Sequence, residues 1–151
     1  MIRHRVFTYI TRDDQLLVLK HPDPRYVDPQ IPGGTVREGE RPAVAALREA
    51  QEETGLGSLY LVRLLGSFER CLADMGRDET IMAWFFHLAT KERTPNAWRH
   101  MEEDPSEGDG PIELELYWAP LDSLPKLGGI DEAMLAQLRV SLNQEDSTPE
   151  Q

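Results

Sequence analysis

GTVREGERPAVAALREAQEETGL, residues Gly34 to Leu56, decides how this chain folds. Its centre is helical in pattern. Ala43, Ala46, Leu47 and Ala50 recur at i, i+3, i+4 and i+7, so they form one apolar stripe along a helix expected from Pro42 to Thr54. Pro42 suits the first helical turn, where its missing N–H is no loss. Arg41 before it is a weak N-cap, since its side chain cannot replace the oxygen of a Ser, Thr or Asp. Gly55 stops the helix as a C′ glycine. Just upstream, Ile31-Pro32-Gly33-Gly34 is expected to make a sharp turn.

The charges on this helix are more informative than its apolar stripe. At 100° per residue, Glu49, Glu52 and Glu53 fall within an arc of about 100°. Arg48 precedes Glu52 by four residues, where opposite charges pair. Three crowded carboxylates repel one another and cost helix stability, and a divalent cation offsets that cost directly. An all-oxygen carboxylate set suits Mg²⁺ or Mn²⁺ rather than zinc. A solvated acidic face would explain three glutamates alone. It does not explain the full spacing of Gly34, Glu40, Arg48, Glu49, Glu52, Glu53 and Gly55. Seven specified residues, each at a frequency of about 0.07, coincide by chance on the order of 10⁻⁸ per window.

Outward from this segment the chain alternates strand and helix signals. Arg5 to Lys20 reads as two strands about a turn at Thr11 to Asp14, with Leu16 to Leu19 as a buried run. Pro22, Pro24 and Pro29 make His21 to Gln30 a shaped loop. Leu59 to Phe68 and Thr80 to Thr90 read as strands joined through Met75-Gly76. Arg93 to Pro111 reads as a long loop, Ile112 to Trp118 as a one-sided strand, and Asp131 to Leu142 as a second amphipathic helix. One α/β domain over 1–142 is expected, with 143–151 a polar, frayed tail.

Composition narrows the function. With 16 Lys and Arg against 27 Asp and Glu, the formal charge is -11, a poor match for duplex nucleic acid. A phosphate ligand would need a metal to hold it. Cys71 is the sole cysteine, so no intrachain disulfide is available, and it reads as a small, partly buried apolar residue. No signal peptide is expected in Met1 to Phe7, and the apolar stretch Ile81 to Ala89 is too short to span a bilayer. The expectation is therefore a cytoplasmic protein with no membrane partner.

Gly34-x5-Glu40-x7-Arg48-Glu49-Ala50-x-Glu52-Glu53-x-Gly55-Leu56 resembles the Nudix box. Ala50, where the family usually has a larger aliphatic residue, is its one departure. Glu115 to Leu121 and Ile31 to Gly33 also resemble family stretches, and the similarity spans Arg5 to Leu142. The resemblance implies an α/β/α sandwich about a mixed sheet, with the box as a loop–helix–loop, and sometimes a homodimer. It also implies a Mg²⁺-dependent hydrolase (Mn²⁺ able to substitute) acting on a nucleoside diphosphate linked to a further group.

By the same resemblance Glu52, Glu53 and the Gly33 carbonyl would hold metal, and Glu49 would be a ligand or the base. Arg48 would fix a glutamate, Glu40 would brace the loop, and Gly34 and Gly55 would serve backbone shape. Glu102, Glu103 and Glu115 are the candidates for a further ligand or base outside the box. Lys20, Arg25 and Arg37 are candidates for phosphate contacts. Tyr26 and Trp98 could stack on a base, whereas Trp84 reads as core. His4, His21, His87 and His100 are scattered and suggest no catalytic group. Arg70 to Ala73 lacks the proline or tyrosine associated with ADP-ribose and dinucleoside polyphosphate hydrolases. That favours a small nucleotide such as a nucleoside triphosphate. Nucleotide sugars, dinucleoside polyphosphates and a non-cutting nucleotide sensor are the alternatives.

Overall fold

A computed structural model of the chain describes residues 2–103 and 110–146. Seven strands form one mixed sheet: β1 (Arg3–Arg12), β2 (Gln15–Lys20), β3 (Gly33–Thr35), β4 (Tyr60–Cys71), β5 (Thr80–Ala89), β6 (Ala97–Glu102) and β7 (Ile112–Pro120). Their order is β4-β5-β1-β2-β7-β6, with β3 attached to β1. The long β1–β5 pair is parallel and the others are antiparallel. Two helices complete the fold, α1 (Pro42–Thr54) and α2 (Leu135–Asp146).

The continuous apolar run Leu16 to Leu19 is buried on both faces because the sheet is covered on both. Leu17 and Leu19 join Val6, Ile10, Leu114 and Leu116 beneath Ala45, Ala46 and Ala50 of α1. The alternate residues Leu16 and Val18 join Tyr9 and Phe85 beneath Leu121, Leu127 and Leu138. The expected α/β/α sandwich is thus present, and the small side chain of Ala50 is fully buried against the sheet.

The sheet opens where the site is built. β1 and β2 pair only through Thr11↔Leu16 and Arg12↔Gln15, around a turn in which Asp13 takes a φ of 55°. Beyond that they part. β3 then pairs with Arg5 to Phe7, and the Thr8 hydroxyl and amide both donate to the Pro32 carbonyl (2.8 and 2.9 Å).

Four expectations need correction. Gly33 and Gly34, read as part of a sharp turn over Ile31 to Gly34, belong to the short strand β3. The supposed loop from Arg93 to Pro111 contains β6, and residues 104–109 lie outside those described. The inward positions of β6 are Trp98, His100 and Glu102, so alternation exists but is not apolar, and a hydrophobicity pattern cannot register it. The second helix starts at Leu135 and continues through residues 143–146 of the expected tail, leaving 147–151 outside the described residues. Cys71 is exposed, not partly buried, because it ends β4 at the sheet edge.

Candidate active site

α1 begins as expected: Arg41 is extended and makes no side-chain cap, and Pro42 opens the first turn. Its end is fixed by Gly55, left-handed at φ 76°, whose N–H donates to the Gln51 carbonyl at 2.8 Å. A methyl group at Gly55 would also stand 2.8 Å from the His100 ring. β6 therefore presses directly on the helix terminus. Trp98 adds a hydrogen bond from Nε1 to the Thr54 carbonyl (3.0 Å) and packs its ring against Trp118. It buttresses α1 and is not among the residues that line the cleft.

Arg48 organises the box. Its Nε and Nη2 grip both oxygens of Glu40 at 2.8 and 2.9 Å, a two-pronged charged pair. Nη1 donates to Glu49 Oε1 at 2.8 Å and to Glu52 Oε2 at 3.3 Å, and Nη2 also reaches the Thr35 carbonyl at 3.1 Å. Glu40 in turn accepts the Arg37 amide. The Arg48 guanidinium holds the Glu40 carboxyl down at a pKa of about 2. One arginine thus fastens the loop, β3 and two helix carboxylates together.

Glu49 and Glu53 point inward and are buried; Glu52 stays at the rim. Glu53 Oε1 accepts the Gly33 N–H at 2.7 Å. Gly33 is required there because a Cβ would sit 2.5 Å from the Val6 carbonyl oxygen, which is backbone and cannot swing aside. At Gly34 a Cβ would lie 2.2 Å from the Glu49 carboxyl carbon. Gly34 therefore serves as space for Glu49. Burial drives the Glu53 carboxyl well above its ordinary pKa, with the neighbouring charges of Glu102 and Glu49 adding to it. Burial raises Glu49 too, against the pull of Arg48.

The three candidates outside the box separate. Glu102, at the end of β6, is buried beside Glu53. Glu103 is exposed at the next position. Glu115 points outward from β7 and pairs with Arg99 at 3.4 Å, so it is no part of the site.

A cleft of about 520 Å³ opens over Gly33, Glu53 and Glu102. Arg25 and Tyr26 line it, Arg25 held by Asp23 (2.9 Å) and Tyr26 against the His21 ring. Arg37 stands 3.9 Å from Glu52, at the box rim. Lys20 lies outside, over the Tyr117 ring. Trp84 is half-buried and donates to His4, as its core reading implied. His87 is buried between Thr11 and Ser141 (2.8 and 2.7 Å), and burial lowers its pKa to about 4.

The cleft also contains residues that sequence reasoning missed: Arg3, Arg5, Arg70, Arg77 and the buried Asp131, whose Oδ2 accepts the Ile31 N–H at 2.8 Å. The alternation Arg3, Arg5, Phe7 was a legible signal of one strand face. Nothing local marked the others.

Among the described residues, no group of three His, Cys, Asp or Glu side chains stands at the spacing that would hold a metal ion at once. Arg48 holds an oxygen of Glu49 and one of Glu52. The donor chemistry nonetheless fits a hard dication. The candidate ligands are oxygens only, and a cation between these groups would offset both the burial that raises the Glu53 carboxyl and the smaller repulsion from Glu102 and Glu49.

Comparison with known proteins follows the same outline. The NUDIX domain family model matches residues 1–138. A MutT NUDIX hydrolase from Burkholderia pseudomallei is 27% identical at a TM-score of 0.66, over 91% of this chain and 98% of that one. A mutator MutT protein from Bacillus halodurans is 25% identical at 0.55, over 80% and 70%. A UDP-X diphosphatase shares the fold at 17% identity and a TM-score of 0.68; the match covers 96% of this chain, which spans 64% of that protein's length. No curated protein sequence matches the chain.

Proposed function

The chain belongs to the Nudix family, and on that premise we propose that it is a Mg²⁺-dependent hydrolase of a small nucleotide, such as a nucleoside triphosphate, cut at a phosphoanhydride bond. The observation that carries this reading is the meeting of buried Glu53 and Glu102 on the wall of an arginine-bearing cleft, with buried Glu49 close behind Glu53. Glu52, Glu53, Glu49 and the Gly33 carbonyl would hold the metal. When bound, it would neutralise phosphate oxygens and lower the pKa of a water.

The chain's own residues do the rest. Arg48 fixes the directions of Glu49 and Glu52, and Glu40 fixes Arg48. The Gly33 N–H orients Glu53. Glu102, buried beside Glu53, would take the proton of an attacking water or join the ligand set. The likeness to MutT-named hydrolases supports the small-nucleotide reading that the box resemblance suggested; nucleotide sugars are the second reading.

The experiment is phosphate release, through a coupled phosphatase, from triphosphates, nucleotide sugars, ADP-ribose and dinucleoside polyphosphates with Mg²⁺. In Glu53→Gln, which preserves the acceptor for the Gly33 N–H, turnover should fall by about a hundredfold or more. A folded wild-type protein inactive on every member would refute the catalytic reading and support a nucleotide sensor.

A further inference from the structure

The cleft has two unlike ends, and β1 gives its ruler. Arg3, Arg5 and Phe7 alternate onto one face of the strand, about 7 Å between successive members. Phe7 sits opposite Gly33, and Ile31, Ile130 and Asp131 line the cleft with it. Arg5 comes next, close enough to Glu49, Glu53 and Asp131 to lower the proton affinity of all three. Arg3 lies at the opposite end. There the register places Arg3 and Arg70 on either side of Ile81, one row across β1, β5 and β4. Arg77 is joined to Arg3 through Glu79, which both contact (3.2 and 2.8 Å).

Three of the 13 arginines, Arg3, Arg70 and Arg77, meet at this end, whereas the acidic lining residues Glu53, Glu102 and Asp131 lie toward the other, in a protein of net charge -11. Arg3 Nη2 and Arg70 Nε are buried atoms that find no hydrogen-bond acceptor among the described residues. Buried donors without acceptors are costly, and forked guanidinium groups match phosphate oxygens. The ion pairs already present, Arg70 with Asp74 and Arg77 with Glu79, are partly exposed and weak enough to admit another anion.

We propose that Arg3, Arg70 and Arg77 form an anion subsite for a phosphate lying beyond the bond that is cut, so that substrates ending in phosphate are preferred to those ending in a neutral sugar. The inference rests on the box being the phosphate-cleaving centre, and it adds which substrates reach it. The nucleoside then occupies the Phe7–Asp131 end, and the terminal phosphate meets the arginines.

The test compares a nucleoside triphosphate with a nucleoside diphosphate hexose of the same base, in wild type and in the double variant Arg70→Gln, Arg77→Gln. Loss of two charge-assisted contacts should lower the ratio of kcat/KM on the triphosphate to that on the sugar nucleotide by about tenfold or more, through KM. A ratio unmoved, or moved toward the triphosphate, overturns the proposal. Calorimetric titration with inorganic tripolyphosphate, in chelator, gives a readout that does not depend on turnover. Binding that weakens about tenfold in the variant supports the subsite even if neither nucleotide is cut, an outcome that would instead refute the hydrolase reading. Equal tripolyphosphate affinity in two folded proteins overturns it.

Discussion

Replacing Asp131 with asparagine should change how stability depends on pH, and the structure sets the size of the change. Asp131 is 8% exposed, and burial raises its carboxyl from an ordinary 3.8 to about 7, against the pull of the Ile31 N–H and Arg5. The folded state therefore holds a proton that the unfolded chain has already released. Stability from this group is full below pH 3.8 and is lost as pH rises through 7. Between pH 5 and pH 8 the linkage costs the wild type about 2.5 kcal/mol. Asparagine stays neutral and can still accept the Ile31 N–H. For a domain of this size that loss corresponds to about 5–10 °C in Tm. Thermal unfolding of both proteins, in chelator, at pH 5 and pH 8 measures it. The Tm of the variant relative to wild type should rise by that amount between the two pH values. Glu49 and Glu53 titrate in both proteins and cancel in the difference. Parallel curves would mean that Asp131 is ionised in the folded protein, refuting the burial argument.

Gly34→Ala should force the Glu49 carboxylate away from Arg48, costing about 2 kcal/mol for the lost charged hydrogen bond; urea unfolding would read the loss, and phosphate release should fall with it. A variant with full stability and turnover would show that Glu49 has another place to go. Trp98→Phe removes the donor to the Thr54 carbonyl and should lower stability by about 1–2 kcal/mol while leaving KM for the nucleotide unchanged. A KM increase without destabilisation would return Trp98 to the substrate.

The box was legible because it is local. Its helix, its glycine stop and the arc of Glu49, Glu52 and Glu53 follow from residue spacing at about 100° per residue, and Arg48 from its four-residue offset to Glu52. The pairing of Arg48 with Glu40 crosses eight residues and was not expected; the family pattern gave each a holding role without joining them. β6 was missed for a different reason: its inward face carries Trp98, His100 and Glu102, which serve the helix end and the site, so it lacks the apolar alternation by which strands are recognised.

The sequence by itself determined the box helix and an α/β domain through short-range periodicity, and the fixed spacing of the box carried the resemblance that implied the mixed sheet and the class of chemistry. Only the tertiary structure separated Glu102 from Glu103 and Glu115, moved Trp98 from the substrate to the helix terminus, and gathered Arg3, Arg70 and Arg77 at one end of the cleft. Those outcomes depend on strand register. The parallel pairing of β1 with β5 joins residues more than seventy positions apart in the chain, and no local pattern specifies which side chains such a pairing will bring together.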